Sequence, residues 1–179
     1  MTALPAALTN TTWTIDPSHS EASFVVRHAG IAKVRGTVAI TEGQIAVNES
    51  GATVTATLDP ATVSTGDKNR DGHLTTADFF EVETYPTWTF VSTGINGSGD
   101  EATVVGDLTI HGVTKQVELD VEYNGTAVDA YGATRAGFSA TTEFSRKEFG
   151  LTWNAALEAG GVLVSDKVKV ELEISATQA

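Results

Sequence analysis

The chain alternates. From Glu21 to His28, Ala22, Phe24, Val26 and His28 fall on one side and Glu21, Ser23, Val25 and Arg27 on the other. That is the period of two imposed by a β-strand with two unlike faces. Lys33–Thr41 repeats it through Val34, Gly36, Val38 and Ile40, and Ala52–Leu58 sets Val54, Ala56 and Leu58 against Thr53, Thr55 and Thr57. Thr103–Ile110, Val113–Tyr123 and Thr134–Phe144 continue the pattern. In the last strand Val168, Val170, Leu172 and Ile174 oppose Lys167, Lys169, Glu171 and Glu173, one dry face against one charged face. Thr12–Ile15 predicts a short first strand. Glu42-Gly43 predicts a hairpin-like turn into Gln44–Asn48, Asp59-Pro60 an exit from the sheet, and Gly160-Gly161 the opening of the final strand. No strand–helix–strand alternation occurs, which argues against a parallel sheet. The fold class is therefore all-β: an elongated up-and-down antiparallel β-barrel of about eight strands, closed so that no edge is left unpaired.

One stretch breaks the alternation. Asn69–Phe90, NRDGHLTTADFFEVETYPTWTF, packs charged, aromatic and turn-forming residues together. It predicts a short helix at a barrel end. Thr75 or Thr76 would cap it, Leu74, Ala77, Phe79 and Phe80 would supply its buried side, Tyr85-Pro86 would end it, and Thr87–Ile95 would be the return strand.

Composition narrows the function. The 179 residues suit one domain: a flexible arm over residues 1–11 and a barrel over 12–176. A net charge of -12 disfavours nucleic acid and anionic membrane surfaces. The absence of Cys removes disulfides and thiol chemistry. No stretch is apolar for long enough to span a bilayer as a helix, and residues 1–10 lack a secretory pattern, so the expected location is cytoplasmic, with no stable membrane insertion.

Several blocks then form an ordered set. Trp13–Ser20 (WTIDPSHS), Phe24–His28 (FVVRH) and Val34-Arg-Gly36 come first. Arg70–Leu74 (RDGHL), Asp78-Phe-Phe80 and Tyr85-Pro86 follow, then Gly106–Thr114 (GDLTIHGVT), Gly137-Phe138 and Arg146–Gly150 (RKEFG). Together, over about Thr12 to Ser175, they resemble the YceI-like polyisoprenoid-binding family. The resemblance implies a lipocalin-like barrel whose interior binds, stores or transports a long-chain isoprenoid lipid, such as a polyprenyl compound or a quinone tail, non-covalently. It implies no catalysis and no cofactor, although many relatives are exported.

A pore for such a chain needs an apolar lining. The candidates are Phe24, Val26, Val38, Ile40, Leu58, Phe79, Phe80, Trp88, Phe90, Leu108, Ile110, Val117, Leu119, Phe138 and Phe144. Small residues at strand positions, among them Gly36 and Gly106, would leave a slot between them. Arg70, His73 and Arg146 are candidates for a ligand headgroup or for structure, with Arg70 forking onto Asp78 or Glu81. Trp13 and Trp153 are expected at barrel ends with their indole N–H groups bonded to backbone.

Other chemistries stay open at this point. Asp67-Lys-Asn69-Arg-Asp71-Gly72 matches the first half of a calcium loop, but Asp78 stands where a bidentate Glu belongs and the preceding flank is not helical. His19, His28, His73 and His111 form no metal-binding spacing, so no metal site is assigned. Ser18-His19 lacks a nucleophile elbow. The alternatives to a lipid carrier are a metal-assisted enzyme using the barrel cavity and a filled-barrel structural or stress module. A homodimer is compatible with exposed strand edges.

Overall fold

The computed structural model describes residues 4–158 and 160–179. Nine strands form one antiparallel sheet: β1 (Thr11–Ile15), β2 (Glu21–His28), β3 (Ala32–Asn48), β4 (Gly51–Ser64), β5 (Trp88–Ser98), β6 (Glu101–Ile110), β7 (Val113–Val128), β8 (Thr134–Ser145) and β9 (Lys167–Gln178). They occupy eight positions around a closed barrel. β1 and β2 share one position, since both pair with β3 on one side and β9 on the other. Between them Pro17–His19 makes a single 3-10 turn, capped by Asp16, whose Oδ1 accepts from Ser18 N at 3.0 Å. Thr14 faces Gln44 and Ala22 faces Val38, so eight steps along β1–β2 cover six along β3, and the surplus is stored as a bulge.

The strand faces follow the alternation, but three turn signals fall elsewhere. Glu42-Gly43 is not a hairpin. It lies inside the continuous β3 beside a register shift, and glycine is required there because a Cβ would stand 2.5 Å from Ile15 Cδ1 and 2.9 Å from the Thr55 carbonyl. Asp59-Pro60 does not leave the sheet. It bulges within β4, where Pro60 is fully buried and its missing N–H interrupts the ladder. The Asp59 carboxylate and carbonyl take up Ala61 N and Thr62 Oγ1. Gly160-Gly161 belongs to a turn well before β9.

The helix α1 runs over Lys68–Leu74, earlier than expected. Asp67 is its N-cap, accepting from Asn69 N and Arg70 N at 2.9 and 3.1 Å. Thr75 and Thr76 close its end instead, turning their hydroxyls back onto the Gly72 and His73 carbonyls. Asp outranks Thr as a cap, and Phe79–Tyr85 folds as consecutive turns.

The two barrel ends are covered differently. At the cap end lie α1, the turns after it, and the 3-10 turn Arg146–Phe149 with the loop that follows. Their apolar cluster joins Phe79, Phe80, Phe149 and Leu151 to Trp88 and Phe90. At the other end, Leu8, Trp13, Ile15, Val47, Ala136 and Ala176 form a second cluster. Of the expected arm, residues 1–3 lie outside the described residues. Its described part is docked: Ala6–Leu8 is a 3-10 turn and Leu8 is buried in the same cluster as Trp13. Trp13 is buried too, but its indole N–H has no hydrogen-bond partner among the described residues, contrary to expectation; Trp88 shares that feature.

Candidate functional site

The barrel encloses a cavity of about 300 Å³ that extends from the cap cluster to the β5–β6 hairpin. All fifteen apolar candidates named from the sequence stand on its wall. The wall also includes Ile45, Val47, Val54, Val104, Val121, Tyr123 and the dry face of β9, none of which was among them. The alternation of β9 was itself a sufficient signal. For β3 the misread turn at Glu42-Gly43 severed Ile45 and Val47 from their strand.

Two glycines shape the wall. Phe24 pairs with Gly36 across β2–β3, and a Cβ on Gly36 would lie 2.3 Å from Phe24 Cζ. Likewise a Cβ on Gly106 would lie 2.4 Å from Phe90 Cζ. Neither glycine leaves a slot. Each lets an aromatic ring lie flat against the barrel wall, which keeps the rings out of the centre.

The cap is an aromatic plug. Phe79 stacks on Trp153 at 5.1 Å, His73 meets both rings edge-on at 5.2 and 4.9 Å, and Phe80 meets Trp88 edge-to-face at 4.8 Å. Such pairs add about 0.5–1.5 kcal/mol each beyond area burial. Polar contacts fix the plug. Arg70 does not fork onto Asp78 or Glu81; it donates to the Thr65 hydroxyl and carbonyl at 2.7 and 2.8 Å. Thr65 in turn donates its N–H and hydroxyl to Asp71 Oδ1. His73 Nε2 takes Asp78 at 2.8 Å. His111 spans the two cap segments, with Nε2 3.2 Å from Glu81 Oε2 and Nδ1 3.3 Å from the Phe149 carbonyl. Asp67, Asn69 and Asp71 begin and ride on α1, where residues two apart point to different sides, so the calcium-loop string does not wrap an ion.

Arg146 is the buried charge of the site, 4% exposed and on the cavity wall. Its Nε, Nη1 and Nη2 donate to the carbonyls of Ser165 (2.9 Å), Leu151 (2.7 Å), Trp153 (2.9 Å) and Val164 (3.3 Å). Burial pulls this guanidinium below the usual arginine value, opposed by the nearby Asp166 carboxylate. Ser145 Oγ and Lys147 N donate to Asp166 and hold it below the ordinary carboxylate range. Arg146 thus ties the loop after β8 into a closed end for the cavity.

At the opposite end, Arg135 forks between Asp16 (2.8 Å) and Asp129 (2.7 Å), clamping the β1–β2 bulge to the β7–β8 loop. That guanidinium, helped by Ser18 and His19, holds Asp16 well below the usual carboxylate range. Ser18 Oγ and Asp16 Oδ2 both approach the same His19 nitrogen, Nδ1, at 3.1 and 2.8 Å. A hydrolytic relay needs them on opposite nitrogens. Among the described lining residues only Gly99, Asp100 and Glu101, at the β5–β6 hairpin, are exposed. They mark the mouth, beside Leu4 and Pro5. No described helix is long and apolar enough to cross a membrane.

Comparison with known proteins agrees with this geometry. A family model described as the YceI-like domain matches residues 13–176. A UPF0312 protein of Staphylococcus aureus strain USA300 is 37% identical over 168 residues, covering 90% of this chain and 94% of its own. The crystal structure of Burkholderia cenocepacia BcnA superposes with a TM-score of 0.78 at 23% identity, over 91% of this chain and 99% of that one. A polyisoprenoid binding domain from Saccharophagus degradans, implicated in plant cell wall breakdown, superposes with a TM-score of 0.64 at 15% identity, over 94% and 99%. At these identities the two structures establish the fold.

Proposed function

The chain belongs to the YceI-like family, and from that premise we propose that it binds the chain of an isoprenoid lipid non-covalently in its barrel, as a carrier or reservoir without turnover. The observation that carries the reading is the cavity wall, apolar from the Phe79–Phe80 plug to the Ala102–Val104 edge of the mouth. A wall of this kind pairs with no polar reactant and offers hydrocarbon a dry, preformed site. Each buried methylene-equivalent contributes about 0.8 kcal/mol, so roughly ten of them supply about 8 kcal/mol toward the cost of association, and each one beyond that offset tightens binding about fourfold. The Saccharophagus domain's description as polyisoprenoid binding supports the choice of chain.

The test is displacement of a fluorescent apolar probe by farnesol. The carrier reading expects saturable, one-to-one displacement in the wild type and its loss in Ala140→Phe, which fills the cavity from its wall. A filled structural barrel takes up no probe at all, and that result removes the proposal.

A further inference from the structure

The cavity is open to a ligand's head at its mouth, and among the described residues that end carries no unpaired Lys or Arg. Assigned to the nearer end of its strand, or to the loop in which it lies, ten of the eleven Lys and Arg residues fall on the cap half of the barrel. The eleventh, Arg135, is on the mouth half and is held between Asp16 and Asp129. At the mouth Asp100 stands at the hairpin tip, and Glu101, paired with Glu122 across β6–β7, lies beside it on the outer face of the sheet, since Ala102 and Val104 take the inner one. At the deep end, the nitrogens of Arg146 already donate to four backbone carbonyls, and the wall between the ends is apolar.

Resting on the carrier reading, we infer that the barrel selects among lipids by head charge: it takes an isoprenoid chain whose head is uncharged or cationic and rejects the phosphorylated form of the same chain. A chain inserted tail-first leaves its head at the hairpin. There a phosphate dianion meets Asp100 and the field of the neighbouring Glu101 and Glu122, with no unpaired Lys or Arg among the described residues of the mouth half, and like charges that close repel even in water. An alcohol or an amine instead donates a hydrogen bond to Asp100. A phosphate inserted head-first would have to be desolvated along the apolar wall before reaching Arg146, and an unpaired buried charge is strongly disfavoured.

Calorimetric titration of the full chain with farnesol, farnesylamine and farnesyl monophosphate, below the aggregation concentration of each, tests this. At low ionic strength the monophosphate is expected to bind about tenfold more weakly than farnesol, farnesylamine at least as tightly as farnesol, and the gap is expected to narrow as salt is added. The Asp100→Asn, Glu101→Gln double variant is expected to narrow the gap between farnesol and the monophosphate to within about threefold. Equal or tighter binding of the monophosphate by the wild type overturns the inference while leaving the carrier reading intact, as does a gap that the double variant does not close. Failure of farnesol itself to bind overturns both.

Discussion

Gly36→Ala is a single-atom addition with a calculable consequence. The new Cβ would sit 2.3 Å from Phe24 Cζ and 2.7 Å from Cε1, whereas carbon contacts are optimal at about 3.5–4.0 Å. The ring must therefore withdraw by more than about 1 Å, and the free space beside it is the cavity. Because the ring can yield in that direction, the fold should lose no more than about 1–3 kcal/mol, the usual range for overpacking. Binding should suffer in a specific way. A ring that displaces about two methylene-equivalents of ligand removes about 1.6 kcal/mol, roughly fifteenfold in Kd. Urea unfolding gives the first quantity and farnesol titration the second. Phe24→Leu in the Gly36→Ala background should restore affinity, since the shorter side chain clears the new methyl. If Gly36→Ala lowers stability and leaves affinity unchanged, or if the Leu variant fails to rescue, Phe24 does not shape the binding space and the reasoning is refuted.

The cap residues should separate by mechanism. Phe80→Ala removes a buried ring packed edge-to-face on Trp88 and should cost about 3–5 kcal/mol in urea unfolding, well beyond Asp67→Ala, which loses one helix cap; a larger loss from Asp67→Ala would reverse the roles assigned to them. Arg146→Met takes the guanidinium donor from the buried Leu151 carbonyl and the part-buried Ser165 and Trp153 carbonyls, while Val164 keeps Asn154 Nδ2, and should cost at least about 3 kcal/mol, whereas Arg70→Met, at an exposed site, should cost far less by the same assay. The Asp16–Arg135–Asp129 clamp gives stability an acid limb. Its carboxylates are held below their unfolded values, near 3.9 for Asp, so their contribution is fully present above about pH 4 and is lost as pH falls through the depressed folded values. Arg135→Gln should lower the urea midpoint above about pH 5 and converge on the wild type as pH falls, so that the limb flattens.

Much of this was legible in the chain because barrel walls are written with a period of two. Val113–Tyr123 and Lys167–Ile174 dictate their own faces, and the aromatic run at Phe79-Phe80 announces a plug. Errors arose where one local signal had two physical uses. Gly43 signalled a turn, but it is small because Ile15 presses on its strand. Pro60 signalled an exit, but a bulge absorbs its missing N–H. The helix start was misplaced because Asp67, Thr75 and Thr76 are all competent caps, and only the contacts of Asp71 and Arg70 with Thr65 decide among them. The mouth was not legible at all. It depends on which hairpin ends beside Leu4 and Pro5, a matter of barrel stagger that periodicity does not encode.

The central claim is that the barrel holds a lipid chain, and the most direct measurement is solvent extraction followed by mass spectrometry of protein purified from cells without detergent. Wild-type protein is expected to release an isoprenoid lipid in near one-to-one amount, with an uncharged or cationic head, and Ala140→Phe, folded by circular dichroism, to release none. A wild-type extract containing no more lipid than that of the filled variant would contradict the account.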